Sequence, residues 1–272
     1  MRRGLPFALV AAALAVALVP GPAGAITYGE PDSPNPHTNV GALIADYDEE
    51  NPGPEHLCSG TLISSRYFLT AGHCTAFLES IGVTEAWVSF DADVDPITSS
   101  TTLLPGTWVT HPGFGHDQAD SKDLAVFRFD RTVRGITPAN LPTAGLFTQM
   151  KNAGTLNGQL FTNVGYGVHE PQTGGGPPVF PYDGERWRSV SEFNALTKAW
   201  LHLSQNDATS DAGTCFGDSG GPNFIGVGAE TIPGTIGSIT VTGDAMCLAT
   251  NVTYRLDTKV ARDFLGQFVT LP

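Results

Sequence analysis

Apolar runs of three to six residues, each soon interrupted by Gly, Pro, Asn, Asp or a polar turn, recur through most of this chain and restrict it to a fold built from short strands. They are Val40–Ala45, Thr61–Ile63, Tyr67–Thr70, Ala86–Phe90, Thr107–Thr110 and Leu124–Phe129, then Leu160–Val164, Ala199–Leu203, Ile225–Val227, Ile236–Val241 and Val252–Tyr254. A helix that buries one face needs a longer uninterrupted period, and 32 Gly with 20 Pro in 272 residues leave little room for one. The pattern therefore predicts an all-β protein. Only the C-terminal end reads as helical: Asp257 or Thr258 offers a cap, and Val260, Phe264, Leu265, Phe268 and Val269 fall on one face. Gly167 to Gly184 reads as a long loop, because Gly174-Gly175-Gly176-Pro177-Pro178 suits neither helix nor central strand. The two groups of runs are separated by the proline-bearing stretch Ile136–Pro142, and no internal repeat is visible.

The first 25 residues read as an address. Arg2-Arg3 precedes a 15-residue apolar run, Leu5 to Val19, followed by Pro20-Gly21-Pro22 and Ala23-Gly24-Ala25. This is the pattern of a secretory signal cleaved after Ala25, and the run is short of the ~20 residues of a spanning helix. The expected mature chain, 26–272, is extracellular and away from the membrane. Its formal charge of −13 falls to −15 once Arg2 and Arg3 are removed, which disfavours nucleic acid and anionic lipid as partners. In an oxidising compartment Cys58, Cys74, Cys215 and Cys247 are expected to form disulfides. Spacing alone leaves all three connectivities open.

Gly217-Asp218-Ser219-Gly220-Gly221-Pro222 is the sharpest chemical signal. A serine hydroxyl becomes a nucleophile only with a base to take its proton and donors to receive the oxyanion, and flanking glycines allow converging N–H groups. The string also fits the G-x-S-x-G elbow of α/β-hydrolases, but that arrangement needs a histidine after the serine, and the last one is His202. The base therefore lies upstream. Of seven histidines, His73 stands out in Leu69-Thr70-Ala71-Gly72-His73-Cys74, where a strand ends beside a potential disulfide.

Thr70-Ala71-Gly72-His73-Cys74, Asp123-Leu124-Ala125-Val126 and the Ser219 hexapeptide together resemble the three signatures of the chymotrypsin/trypsin-like serine proteases. The order His, Asp, Ser is that family's. The resemblance implies two packed six-stranded antiparallel β-barrels with a C-terminal helix: 26–142 carrying His73 and Asp123, and 143–272 carrying Ser219, together one peptidase domain. It implies His73 as general base, Asp123 as its orienting acid in preference to Asp117, Asp120 and Asp130, and Ser219 as nucleophile. Gly217 and Ser219 would supply the oxyanion hole. Bridges Cys58–Cys74 and Cys215–Cys247 follow from the same resemblance. So do protein or peptide substrates, a monomer, and chemistry without metal or organic cofactor. An esterase or amidase on the same triad, or a silent binding homologue, are the rival readings.

The family's mature chains begin with a buried aliphatic residue whose ammonium pairs with the Asp before the nucleophile. The matching residues are Ile26 and Asp218, and Ala25 rather than Lys or Arg precedes Ile26. Signal cleavage itself is thus expected to create the active terminus. The base of the primary pocket corresponds to Gly213, followed by Thr214, with Phe216 and Val252 on the walls. With no anion there, a small or medium apolar residue is expected before the scissile bond. Tyr166 replaces a commoner Trp, a third disulfide is missing, and Thr240 to Asp244 replaces the Ser-Trp-Gly strand. Asp91-x-Asp93-x-Asp95 imitates a calcium loop, but Pro96 and Thr102 stand where Gly and Glu are needed, so it reads as a solvated turn.

Overall fold

The computed structural model describes residues 26–117, 119–228 and 233–272. The signal segment 1–25 lies outside the described residues. Thirteen strands are named among those described: β1 Glu30–Pro31, β2 Val40–Ala45, β3 Glu55–Ser64, β4 Tyr67–Thr70, β5 Ala86–Ser89, β6 Leu104–Thr110, β7 Ala125–Phe129, β8 Leu160–Gly165, β9 Trp187–Leu196, β10 Trp200–Ser204, β11 Pro222–Ile225, β12 Ile236–Gly243 and β13 Thr250–Arg255. Helices α1 Gly72–Ser80, α2 Leu146–Ala153 and α3 Lys259–Leu265 complete the named elements, with a 3-10 turn at Asp207–Thr209.

Two antiparallel β-barrels result. The first closes in the order β2-β3-β4-β7-β6-β5, with β5 returning to β2. The second runs β9-β10-β13-β12-β11-β8 and closes through β8–β9, while β1 extends it beside β9. Closure removes the exposed edges that such short strands would otherwise offer for aggregation.

The two interiors differ chemically. The first is aromatic: Phe68, Phe90, Phe127 and Phe129 meet with ring centroids 5.4 to 6.3 Å apart. The second carries a buried polar layer. Asn163 Nδ2 donates to Ser189 Oγ at 2.9 Å and Ser191 Oγ at 2.7 Å, Asn251 Nδ2 donates to Asn223 Oδ1 at 3.0 Å, and Thr253 Oγ1 donates to Ser238 Oγ at 2.7 Å. These bonds offset the cost of burying the polar groups that make them. Asn251, the asparagine of an Asn-Val-Thr sequon, is fully buried in this layer and so is no glycan acceptor once folded.

The chain ends are exchanged between barrels. Glu30 and Pro31 pair with Arg188 and Trp187, so the start of the 26–142 segment is held by the second barrel. Helix α3 lies against the first, with Phe264 4.8 Å from the His111 ring and Phe268, just past its end, 5.6 Å from Tyr67. Thr258, not Asp257, caps α3 by accepting the Ala261 N–H at 3.2 Å. Asp257 instead binds Arg255 and receives the Phe147 N–H at the start of α2.

Both disulfides have the pairing expected from the resemblance, Cys58–Cys74 and Cys215–Cys247. The first closes a loop of 16 positions. Replacing both its cysteines with serine should cost about 3 kcal/mol by chain entropy. The expected fall in thermal midpoint is roughly 6–12 °C, measurable by calorimetry.

Candidate active site

His73 is the second residue of α1, and its position follows from an unusual cap. Ala71 precedes the helix and has no side chain to receive the free N–H groups. The cap comes from 50 positions ahead: Asp123 Oδ1 accepts the His73 N–H at 2.8 Å. The other oxygen, Oδ2, lies 3.0 Å from His73 Nδ1. One carboxylate therefore fixes both the backbone and the ring, and its negative charge suits a helix N-terminus. Asp123 is 4 % exposed at the head of β7. Lys122 before it has φ 53°, and Leu124 N–H donates to Lys122 O at 2.8 Å, a tight turn centred on the acid. The competing acids are elsewhere: Asp120 accepts the Tyr254 hydroxyl at 2.6 Å, and Asp117 and Asp130 are exposed.

The Ser219 loop comes from the second barrel but is gripped by the first. Ser59, beside Cys58 on β3, donates its N–H to Ser219 O at 2.9 Å and its hydroxyl to Gly217 O at 2.9 Å, and accepts the Tyr166 N–H at 3.1 Å. Cys74 Sγ lies 4.0 Å from Ser219 O. At Gly220, with φ 81°, an added Cβ would stand 2.6 Å from Ala71 N, so the nucleophile loop is packed directly on the strand end that leads to His73. No side chain larger than hydrogen fits there. The structure thus brings His73, Asp123 and the Ser219 loop together across the junction of the barrels. His73 is one-third exposed, and Ser219 is partly exposed.

Gly217 has φ 94°. Among the described residues no hydrogen bond uses the N–H of Gly217 or Ser219, so both donors are available to an incoming oxygen. The His56 ring packs over Gly217 and is stacked on Tyr182 at 5.8 Å. Burial pushes His56 down to about 4, which keeps this ring neutral beside the loop.

Asp218 is fully buried. Its Oδ2 accepts the Cys215 N–H at 2.8 Å and its Oδ1 the Gly167 N–H at 2.9 Å, yet burial still pushes its carboxyl up to about 7. No salt bridge reaches it among the described residues. Ile26 is equally buried and packs on Trp187. Trp187 also meets the His169 ring at a right angle with centroids 5.3 Å apart, and His169 Nε2 lies 3.2 Å from Asp183. His169 and Ser59 carry no sequence signal of their own; only the fold brings them here.

The pocket residues divide. Gly213 and Thr214 are buried behind the loop, beside Gln205, while Phe216 is 57 % exposed. Val252 is half-buried on β13, opposite His202 and Thr242. Cys58, His73 and Cys74 form the only metal-like cluster among the described residues, and both sulfurs are committed to a disulfide. None of the helices described is long and apolar enough to cross a membrane.

The trypsin family profile matches residues 32–257. An ovochymase of Halocynthia roretzi is 25% identical over 180 residues, 61% of this chain. The chain covers 10% of that protein's length. With two barrels, both disulfides and the His73–Asp123 pair set against the Ser219 loop, the chain belongs to the trypsin family.

Proposed function

We propose that this protein is a secreted serine endopeptidase that opens peptide bonds through an acyl-enzyme on Ser219. The observation that carries the reading is the double hold of Asp123 on His73, which commits Nδ1 to the acid and leaves Nε2 as the ring nitrogen that would serve as base. Ser219 Oγ attacks the carbonyl carbon while His73 Nε2 takes its proton. Asp123 keeps the Nδ1–H tautomer and stabilises the imidazolium. The oxyanion is received by the N–H groups of Gly217 and Ser219. His73 then protonates the leaving amine, and water, activated by the same ring, releases the acid. Fluorophosphonate labelling of the secreted protein, with Ser219→Ala as control, tests this directly. Casein against short esters separates an endopeptidase from an esterase, and a silent homologue would neither label nor cleave.

Activation is part of the same proposal. Cleavage after Ala25 would free the Ile26 α-amine to pair with the buried Asp218 carboxylate, which no salt bridge reaches among the described residues, and that pairing would order the Ser219 loop. Breaking a buried pair costs about 3–5 kcal/mol, so one residue retained before Ile26 should lower kcat/KM by roughly 10²–10⁴-fold. The free amine has a pKa of about 8, and pairing raises it. The contribution of this pair to activity should therefore be complete below about pH 8 and lost as pH rises through the paired value. Active protein whose terminus, by mass spectrometry, is not Ile26 would refute this arrangement.

The primary pocket is uncharged at Gly213 and is proposed to take a small or medium apolar side chain. An anilide panel in which Arg outpaces Ala, Leu and Phe would contradict it.

A further inference from the structure

Gly217 and Ser219 each offer an N–H to an incoming oxygen, but a glycine cannot hold its own donor still. Gly217 has φ 94° and no side chain, so nothing local restrains the peptide planes beside it. The Phe216–Gly217 plane carries one of the donors, and its carbonyl accepts the Val168 N–H at 2.8 Å. The Asp218–Ser219 plane carries the other, and its carbonyl accepts the Gly221 N–H at 2.8 Å. Both holds come from the second half of the chain. The plane between them is held from across the junction: Gly217 O accepts the hydroxyl of Ser59, on β3 of the first barrel, at 2.9 Å. The position of that proton follows from its neighbours. Tyr166 N–H can only donate to Ser59 Oγ, at 3.1 Å, so the single hydroxyl hydrogen goes to Gly217 O. The Ser59 N–H adds a hold on Ser219 O at 2.9 Å, and Ser59 O accepts the Thr70 hydroxyl at 2.8 Å. Ser59 is fully buried, and its neighbour Cys58 is bonded to Cys74, the residue after His73.

We infer that Ser59 is a positioning residue for the reaction, its hydroxyl setting the two oxyanion donors in register with His73. This rests on the peptidase reading above, and it concerns the donors rather than the nucleophile or the base. Base and donors stand on different barrels, so their relative placement needs a tie that crosses the junction. Ser59, Cys58, Cys74 and His73 form that tie. Without the hydroxyl, Gly217 O and the Tyr166 N–H both lose a buried partner, and the middle plane can turn about the bonds of a glycine. The donors on either side then move away from the point where the oxyanion develops. Full charge stands at that point only in the transition state, so the loss falls on kcat rather than on substrate binding.

The test is Ser59→Ala, with kcat and KM measured separately on a tetrapeptide anilide ending in Ala. The matching peptide aldehyde serves as a transition-state mimic: Ser219 Oγ adds to its carbonyl carbon, and its oxygen takes the place of the oxyanion. In the variant kcat should fall about 10- to 100-fold, the scale of a displaced oxyanion donor, with KM within about threefold of wild type. Affinity for the aldehyde should fall by the same factor as kcat/KM. The pH midpoint of kcat/KM that reports His73 should stay at its wild-type value, because the hold of Asp123 on the ring is untouched. If Ser59→Ala does not fold, Ser59→Gly, which removes the same hydroxyl, must give the same pattern. A lowered melting temperature with kcat within about threefold of wild type would overturn the role of Ser59 alone. So would a loss of kcat without a parallel loss of aldehyde affinity, or with a displaced His73 midpoint. A wild-type protein that shows neither turnover nor fluorophosphonate labelling of Ser219 would overturn this inference and the peptidase reading together.

Discussion

Ser219→Ala should reduce kcat by on the order of 10⁶-fold, leaving only the slow reaction supported by the oxyanion donors and substrate binding. The loss is this large because no neighbouring group can substitute for the hydroxyl. Water placed in its stead lacks both the fixed attack distance and the hydrogen bond to a prepared base. The backbone of Ser219 does the structural work, its carbonyl accepting the Ser59 N–H at 2.9 Å, and alanine preserves that bond. The variant should therefore melt within a few degrees of wild type, as expected of a small truncation at a partly exposed position. Fluorophosphonate labelling should vanish with it. A variant that still labels, or still cleaves at more than a thousandth of the wild-type rate, would remove Ser219 from the chemistry.

Asp123→Asn should cost about 10⁴-fold in kcat, the size of the effect of the equivalent change in a trypsin-family enzyme. An amide oxygen can still receive the His73 N–H, so the start of α1 should survive. The amide nitrogen, facing Nδ1, would push the imidazole into the tautomer that has its proton on Nε2, where it cannot act as a base. A second measurement separates this from simple damage: Asp123→Asn combined with Ser219→Ala should be barely slower than Ser219→Ala alone, because the two residues act as one device. Additive losses would show that Asp123 serves the fold rather than the reaction.

The first barrel was largely legible because its strands are apolar. Val40–Ala45 is buried at every position, and no competing element could absorb six such residues. Strand β9 was not legible. Its inward residues include Ser189 and Ser191, whose burial becomes favourable only opposite Asn163, and that partner is defined by barrel closure rather than by local pattern. Helix α1 escaped notice for a related reason: it starts with Gly72, lacks a local cap, and receives one from Asp123. Helix α2 begins after Gly145 in the left-handed region at φ 67°, and its capping acid, Asp257, lies 110 positions away. At the site, His73, Asp123 and Ser219 could be nominated from their motifs.

The exchange of chain ends bears on how such a molecule comes into being. The segment 26–31, made before any of the second barrel, waits for a partner that does not yet exist, and the first barrel waits for α3, made after the second barrel's strands. Ser59 likewise stands ready for a loop that emerges 160 residues later. A polypeptide still on the ribosome, or one cut short, would carry its reactive groups on separate and unfinished halves.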